Sequence, residues 1–232
     1  MATPHLARRA ASGGPRLLPW LVLAVALALG AAAIHGMTYG FAAWTLDQRR
    51  EVRIAQHTLR LPAIDVRGQD GQRLRLFAGP ASGSGDARAG GTPGVYIVDF
   101  IYTRCPTVCR ALGAEFAQLS LQLDADGMAG QIGLVSLSFD PRDTAGDLQG
   151  YANTYRARAP RWLVAAAVSA ADMDRLLRQA DVIAIPDRLG GFEHNGGLHV
   201  VDARGQVLAV FALDDFRQAY AFALAHERGS RP

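Results

Sequence analysis

Two cysteines occur in the 232 residues, four positions apart in Thr103-Arg104-Cys105-Pro106-Thr107-Val108-Cys109. Pro106 suits the first position of a helix, where its fixed φ is already helical and its missing N–H leaves no bond unmade. A helix beginning there puts both thiols one turn apart on one face, with Cβ atoms about 5–6 Å from each other. At that separation two sulfurs can reach one metal ion, form a disulfide, or act as an attacking and a resolving thiol. The positive end of the helix favours thiolate, so the pKa of Cys105 in particular is expected to fall. Thiolates are soft ligands that suit Cu(I), and an added imidazole suits both copper oxidation states. A closed structural zinc site wants four ligands and fits two sulfurs poorly. A plain disulfide is the simplest alternative, although so short a loop restrains the unfolded chain little.

The surrounding pattern must position this pair. Val95-Tyr96-Ile97-Val98-Asp99-Phe100-Ile101-Tyr102 is β-branched, aromatic and mostly apolar, as a strand buried on both faces should be. After the cysteines, Ala111, Leu112, Phe116, Leu119 and Leu123 recur at helical spacing. A second buried strand is expected at residues 132–139, closed by Asp140-Pro141-Arg142-Asp143-Thr144, which opens a helix with Asp143 or Thr144 as cap. A third short strand (162–166), a helix capped by Ser169, and a loop over 185–197 follow. Two last strands (198–202 and 207–211) join through a turn at Ala203-Arg204-Gly205, before a helix from Asp214 or Asp215 to about Glu227. Upstream, residues 63–66 and 73–77 read as a hairpin, and the Gly/Ser-rich residues 78–93 as a loop. Strand, helix, parallel strand, then a terminal hairpin and helix is the order of an α/β thioredoxin-like domain, expected over residues 61–232. Its cysteines follow a buried strand, where α/β folds place their ligand sites.

Residues 17–44 contain no Asp, Glu, Lys or Arg, and the first part of this run is Leu, Val and Ala. Roughly 20 such residues cross a bilayer. Arg8, Arg9 and Arg16 precede the run, so residues 1–16 are expected as a basic cytoplasmic leader, 17–44 as a single transmembrane anchor and 45–60 as a linker. The domain is then exported to the periplasmic face of the inner membrane. A cleaved signal sequence is the alternative, with Ala31-Ala32-Ala33 near a cleavage site, but the run exceeds the usual core of about 7–15 residues. The remaining arginines balance the 21 carboxylates, so the basic excess belongs to the tail and gives no ground for nucleic-acid binding.

The stretch from Val98 to Cys109 resembles the signature of the Sco/SenC family of copper-binding assembly factors for cytochrome c oxidase, and residues 140–144 resemble its Asp-Pro motif. The likeness runs from about Leu61 to the C-terminus. It implies a copper site of Cys105, Cys109 and one histidine before the penultimate strand, which His194 matches by position. It also implies Cu(I) or Cu(II) as the bound metal, cytochrome c oxidase subunit II or a related copper protein as client, and an N-terminal membrane anchor. Three departures mark a divergent branch: Arg110 stands where the family often has Pro, the Asp-Pro motif is one residue shorter, and Glu193 stands where Asp usually precedes the histidine.

His199 is the rival third ligand. His194 lies in a Gly-flanked loop free to fold over the cysteines, whereas His199 falls inside an apolar strand. Glu193 or Asp143 is expected to orient His194 by accepting a hydrogen bond. Besides copper delivery, thiol–disulfide exchange through Cys105 and Cys109 uses the same residues. The Cys-x-x-x-Cys spacing, and the lack of a proline directly before Leu198, lean toward metal. A peroxidase-type reading and a non-catalytic interaction module have less in their favour.

Overall fold

The computed structural model describes residues 17–79, 93–105 and 108–229. The leader, most of the Gly/Ser-rich loop and the helix start expected at Pro106 lie outside these residues. The chain divides into two compact units, Met1–Arg49 and Arg50–Pro232.

In the first unit, α1 (Leu17–Met37) is an apolar helix of 21 residues with none buried and a mean hydropathy of 2.4 over its most apolar 18 residues. At 1.5 Å per residue it is about 30 Å long, the thickness of a bilayer's hydrocarbon core. It is shorter than the uncharged run. The Thr38 hydroxyl donates to the Ile34 carbonyl at 2.7 Å, and positive φ at Tyr39, Gly40 and Phe41 ends the helix. Trp20 near one end, and Phe41 and Trp44 beyond the other, are exposed, as aromatic belts at membrane interfaces are.

α2 (Leu46–Ala55) leads into the second unit. Arg53 grips both oxygens of Asp181 at 2.6 Å, Leu59 is fully buried, and the Leu61 N–H donates to the Gly205 carbonyl at 2.7 Å. Seven strands form the main sheet: β1 (Ile64–Gly68), β2 (Arg73–Leu76), β3 (Val95–Ile101), β4 (Ile132–Ser138), β5 (Trp162–Ala167), β8 (Leu198–Asp202) and β9 (Val207–Phe211), in the order β2-β1-β5-β4-β3-β8-β9. β3, β4 and β5 run parallel, and the flanking pairs are antiparallel. Every residue of β3 and β4 is buried, which accounts for their unbroken apolar runs.

α3 (Val108–Ala125) buries Cys109, Leu112, Phe116, Leu119 and Leu123, one face at helical spacing. α4 (Ala145–Tyr155) starts with a reciprocal capping box, in which Thr144 and Asp147 bond each other's backbone amides. α5 (Ala170–Gln179) and α6 (Phe216–Gly229) complete the helices, and α3 packs against both α4 and α6. The expected loop before β8 is in part a separate two-stranded hairpin, β6 (Ala184–Pro186) and β7 (Phe192–His194), which pairs Ala184 with His194 and Pro186 with Phe192. Three-residue strands next to Pro186, Gly190 and Gly191 are too short to show the alternation that marks a strand.

α3 approaches α4 closely because Gly113 has no side chain: a Cβ there would lie 2.5 Å from the Tyr155 ring. Gly113→Ala is therefore expected to destabilise the protein by about 1–3 kcal/mol through overpacking. Urea unfolding of the full chain in detergent measures this, and Tyr155→Ala should relieve it in the double variant.

Candidate metal centre

Cys105 and Cys109 meet just beyond the C-terminal end of β3. A turn closes with the Cys105 N–H donating to the Tyr102 carbonyl at 3.1 Å, and the Cys109 N–H, in the first turn of α3, donates to the Cys105 sulfur at 3.4 Å. No disulfide joins them, and both are buried, Cys105 at 6% exposure and Cys109 at 1%. The difference matters because Cys105 borders a cleft of about 580 Å³, shared with Arg104, Arg110, Tyr151 and Tyr155, whereas Cys109 lies behind it. Burial pushes the Cys109 thiol well above its ordinary pKa, and the neighbouring Cys105 and Asp99 add to the rise. Burial thus disfavours the Cys109 thiolate, and a metal bound there must displace the proton.

Two carboxylates at the end of β4 hold the loop that carries Cys105. Asp143 accepts hydrogen bonds from the Thr103 N–H (2.8 Å), the Thr103 hydroxyl (2.7 Å) and the Ser138 hydroxyl (2.6 Å). Asp140 accepts from Arg104 at 3.0 Å and from both Nε and Nη2 of Arg142 at 2.9 Å. Burial alone would raise the Asp140 pKa, but hydrogen bonds from Arg142 and Arg104 outweigh it and hold the carboxyl below its usual range.

His194 ends β7. It is half-buried, packs edge-to-face on Phe139 with ring centroids 5.2 Å apart, and accepts the Gly196 N–H on Nδ1 at 3.2 Å. Burial lowers its pKa and favours the neutral ring that a metal ligand must have. Neither expected orienting carboxylate reaches it in the hydrogen bonds of the described residues: Asp143 is engaged by the cysteine loop, and strand alternation leaves Glu193 exposed on the other side of β7. His199 is fully buried. Its Nδ1 lies 3.0 Å from the Gly197 carbonyl and its Nε2 3.0 Å from the Ala180 carbonyl, so both ring nitrogens face backbone carbonyls.

The structure thus brings the two sulfurs together and sets His194 at the same end of the sheet, linked through Phe139 and Tyr102. The Tyr102 ring packs on Phe139 (5.8 Å) and Phe192 (5.3 Å), and its hydroxyl lies near the Cys105 side chain and the Phe192 backbone. Among the described residues no three His, Cys, Asp or Glu side chains converge on one point. Two neighbouring thiols and a neutral imidazole nearby fit a soft metal by their chemistry.

Sequence reasoning missed Tyr102 and Asp99. Asp99 is fully buried in β3, and neither carboxylate oxygen has a hydrogen-bond partner in good geometry. Burial pushes its pKa up to about 7, with the cross-strand Ser136 hydroxyl offsetting only part of the rise. A lone acid inside an apolar strand was the available signal.

The SCO1/SenC family model matches residues 92–227, more than half of the chain, and the protein belongs to that family. The SCO1 protein homolog of Bacillus subtilis (strain 168) is 24% identical over 117 residues, 49% of this chain; the match spans 60% of that relative's length. Among solved structures, Bradyrhizobium japonicum ScoI with copper bound superposes with a TM-score of 0.52 at 19% identity, over 72% of this chain and 98% of that one. BsSco, a Sco-family cytochrome c oxidase assembly protein with an identified disulfide switch, gives 0.57 at 19% identity, over 72% and 93%. At such identities the likeness establishes the fold, which is thioredoxin-like.

Asp99 and His199 impose opposite pH trends. A carboxyl ordinarily near 4 but raised to about 7 in the fold contributes stability that is complete below the lower value and lost as pH climbs through the higher. His199, pushed down to about 4 mainly by burial, is held neutral, so acidification below its ordinary value costs stability. Asp99→Asn keeps a neutral group at every pH. Its stability advantage over the wild type should widen from about pH 5 to about pH 8, and on acidification the variant should lose stability more steeply than the wild type. Urea unfolding across that range checks both, and a pH-independent difference would mean that Asp99 is charged in the fold.

Proposed function

We propose that this protein is a membrane-anchored copper chaperone of the Sco type, carrying copper as cargo on Cys105, Cys109 and His194 for the copper site of cytochrome c oxidase. Subunit II or a related copper protein is the proposed client. The observation that carries the reading is the pair of unoxidised thiols held side by side at the end of the central strands, one of them bordering an open cleft. Copper in a relative of the same fold supports it. Two thiolates suffice for Cu(I), and His194 supplies the harder nitrogen that Cu(II) prefers. We place the domain, residues 61–232, on the periplasmic face of the inner membrane. The support is an apolar α1 long enough to span a bilayer, behind a leader whose charges are all arginine. Residues 1–16 would be the cytoplasmic leader, 17–44 the anchor and 45–60 the linker.

The same pair suits thiol–disulfide exchange, favoured by the unequal burial of the two sulfurs. The Cys105 thiolate would attack a client disulfide to form a mixed disulfide. Cys109 would then displace the client, which leaves with two thiols while Cys105 and Cys109 are oxidised to a disulfide. The disulfide switch in BsSco supports this second use.

Titration of the reduced full chain in detergent, followed by sulfur-to-copper charge-transfer absorption, is expected to show one copper bound per chain. The Cys105→Ala/Cys109→Ala variant should show none. His194→Ala should weaken Cu(II) binding by about tenfold or more, and His199→Ala, once circular dichroism shows it folded, by far less. Equal losses in the two histidine variants would overturn the ligand assignment; copper retained without the cysteines would overturn the site.

A further inference from the structure

The hairpin that carries His194 rests on the domain through Phe192 and His194, which pack on Tyr102 and Phe139. Its strands form three residue pairs outside the main sheet, and a two-stranded hairpin alone is marginal in water. Ile185 and Leu189 are exposed, the latter at 95%, so its outer side buries little. Its base is tied by Asn195, whose side chain accepts the Ile183 N–H at 2.6 Å and donates to the Asp181 carbonyl at 3.2 Å. Its turn is braced internally by Asp187, which accepts the Leu189 and Gly191 N–H groups at 2.7 Å.

One side chain fastens that turn to the cysteine loop. Arg142 Nη2 donates to the Gly190 carbonyl at 2.7 Å, and its guanidinium lies over the Phe192 ring, 5.5 Å from the centroid. The same guanidinium grips Asp140 through Nε and Nη2, and Asp140 also accepts from Arg104, the residue before Cys105. One buried carboxylate therefore takes a guanidinium from the cysteine loop and another that holds the hairpin. With base and turn both fastened, the hairpin backbone is a fixed platform. The His194 ring itself is held weakly, by the 3.2 Å bond from the Gly196 N–H.

We propose that Arg142, anchored on Asp140, is the positioning residue that fixes the His194 hairpin beside the cysteine loop and thereby sets how readily His194 joins Cys105 and Cys109 on copper. This rests on the copper site proposed above. Without Arg142 the hairpin samples a wider range, and the ordering cost of bringing His194 to the metal rises. Cu(I), for which two thiolates suffice, is affected little.

The test compares Arg142→Met, Arg142→Lys and His194→Ala with the wild type, as full chains in detergent. Cu(II) and Cu(I) affinities come from chelator competition, nitrogen ligation from the electron paramagnetic resonance of the Cu(II) form, and folding from thermal unfolding. Arg142→Met should weaken Cu(II) by about tenfold, change Cu(I) affinity by less than about threefold, and lose nitrogen coupling in part. Arg142→Lys should behave likewise, since an ammonium cannot reproduce the fork that spans Asp140 and Gly190. If Arg142→Met fails to fold, the lysine variant carries the test. Wild-type Cu(II) affinity and spectrum in the folded Arg142 variants, with His194→Ala impaired, would overturn the positioning role alone. Full rescue by lysine would reduce Arg142 to a point charge and overturn the role too. An unimpaired His194→Ala would overturn the copper site and this inference with it.

Discussion

The candidate site depends on two carboxylates, Asp140 and Asp143, whose side chains are fully buried where β4 ends. A buried charge is tolerated only with enough partners, and these two find theirs on separate parts of the chain. Asp143 collects the Thr103 amide and hydroxyl and the Ser138 hydroxyl; Asp140 collects Arg104 and Arg142. Each bond that satisfies a carboxylate also fixes a loop. The shape of the cysteine loop and the seat of the hairpin are thus set by the same electrostatic requirement. The motif is short because the strand end, the acids and the start of α4 fall within eight residues, with Thr144 passing directly from the carboxylate pair to the helix cap.

The surroundings of the two sulfurs differ. Cys105 borders the cleft and receives an amide from the first turn of α3, which is the environment of a sulfur that meets something from outside. Cys109 is enclosed: the Tyr151 hydroxyl donates to its carbonyl at 3.0 Å, and Asp99 lies close enough to raise its pKa. A helix N-terminus alone would favour thiolate at both positions, and for Cys109 burial outweighs it. An enclosed thiol that keeps its proton resists oxidation until a partner sulfur or a metal is already bound at its neighbour. Metal carriage and disulfide exchange both call for this asymmetry.

The chemistry-bearing pair and the strands around it were legible in the sequence because their signals are local. Continuous apolar runs mark β3 and β4, helical spacing from Leu112 to Leu123 marks α3, and Ala203-Arg204-Gly205 marks the β8–β9 turn, where Gly205 takes a φ of +85°. The hairpin of β6 and β7 was hidden by its brevity, with Pro186 inside β6 and Gly190 and Gly191 in its turn. The partners of the acids were hidden for a different reason: Asp143 bonds Thr103 across 40 positions and Arg142 bonds Gly190 across 48, and no periodicity reports such distances. The expectation that Asp143 orients His194 failed on the same ground, since an acid's partner is decided by which loop the fold brings to it. Asp99 was visible as an acid in an apolar run, but its full burial without a partner belongs to the packing.

The two halves of the site are built to different degrees of order, and the difference has a physical use. The sulfurs stand just beyond a fully buried central strand and in the first turn of α3, joined by the 3.4 Å hydrogen bond from the Cys109 N–H to the Cys105 sulfur. The imidazole stands on a peripheral hairpin, rests on Phe139 and is held by a single 3.2 Å hydrogen bond. A ligand set whose members were all fixed would bind tightly and release slowly. One whose third member is held by a weak contact can gain or lose that member at a cost of about one hydrogen bond, roughly 0.5–1.5 kcal/mol. On the proposed reading of a copper carrier, a thiolate pair with one weakly held third ligand keeps the grip of two thiolates while leaving a low-cost step by which the coordination can open toward the cleft beside Cys105.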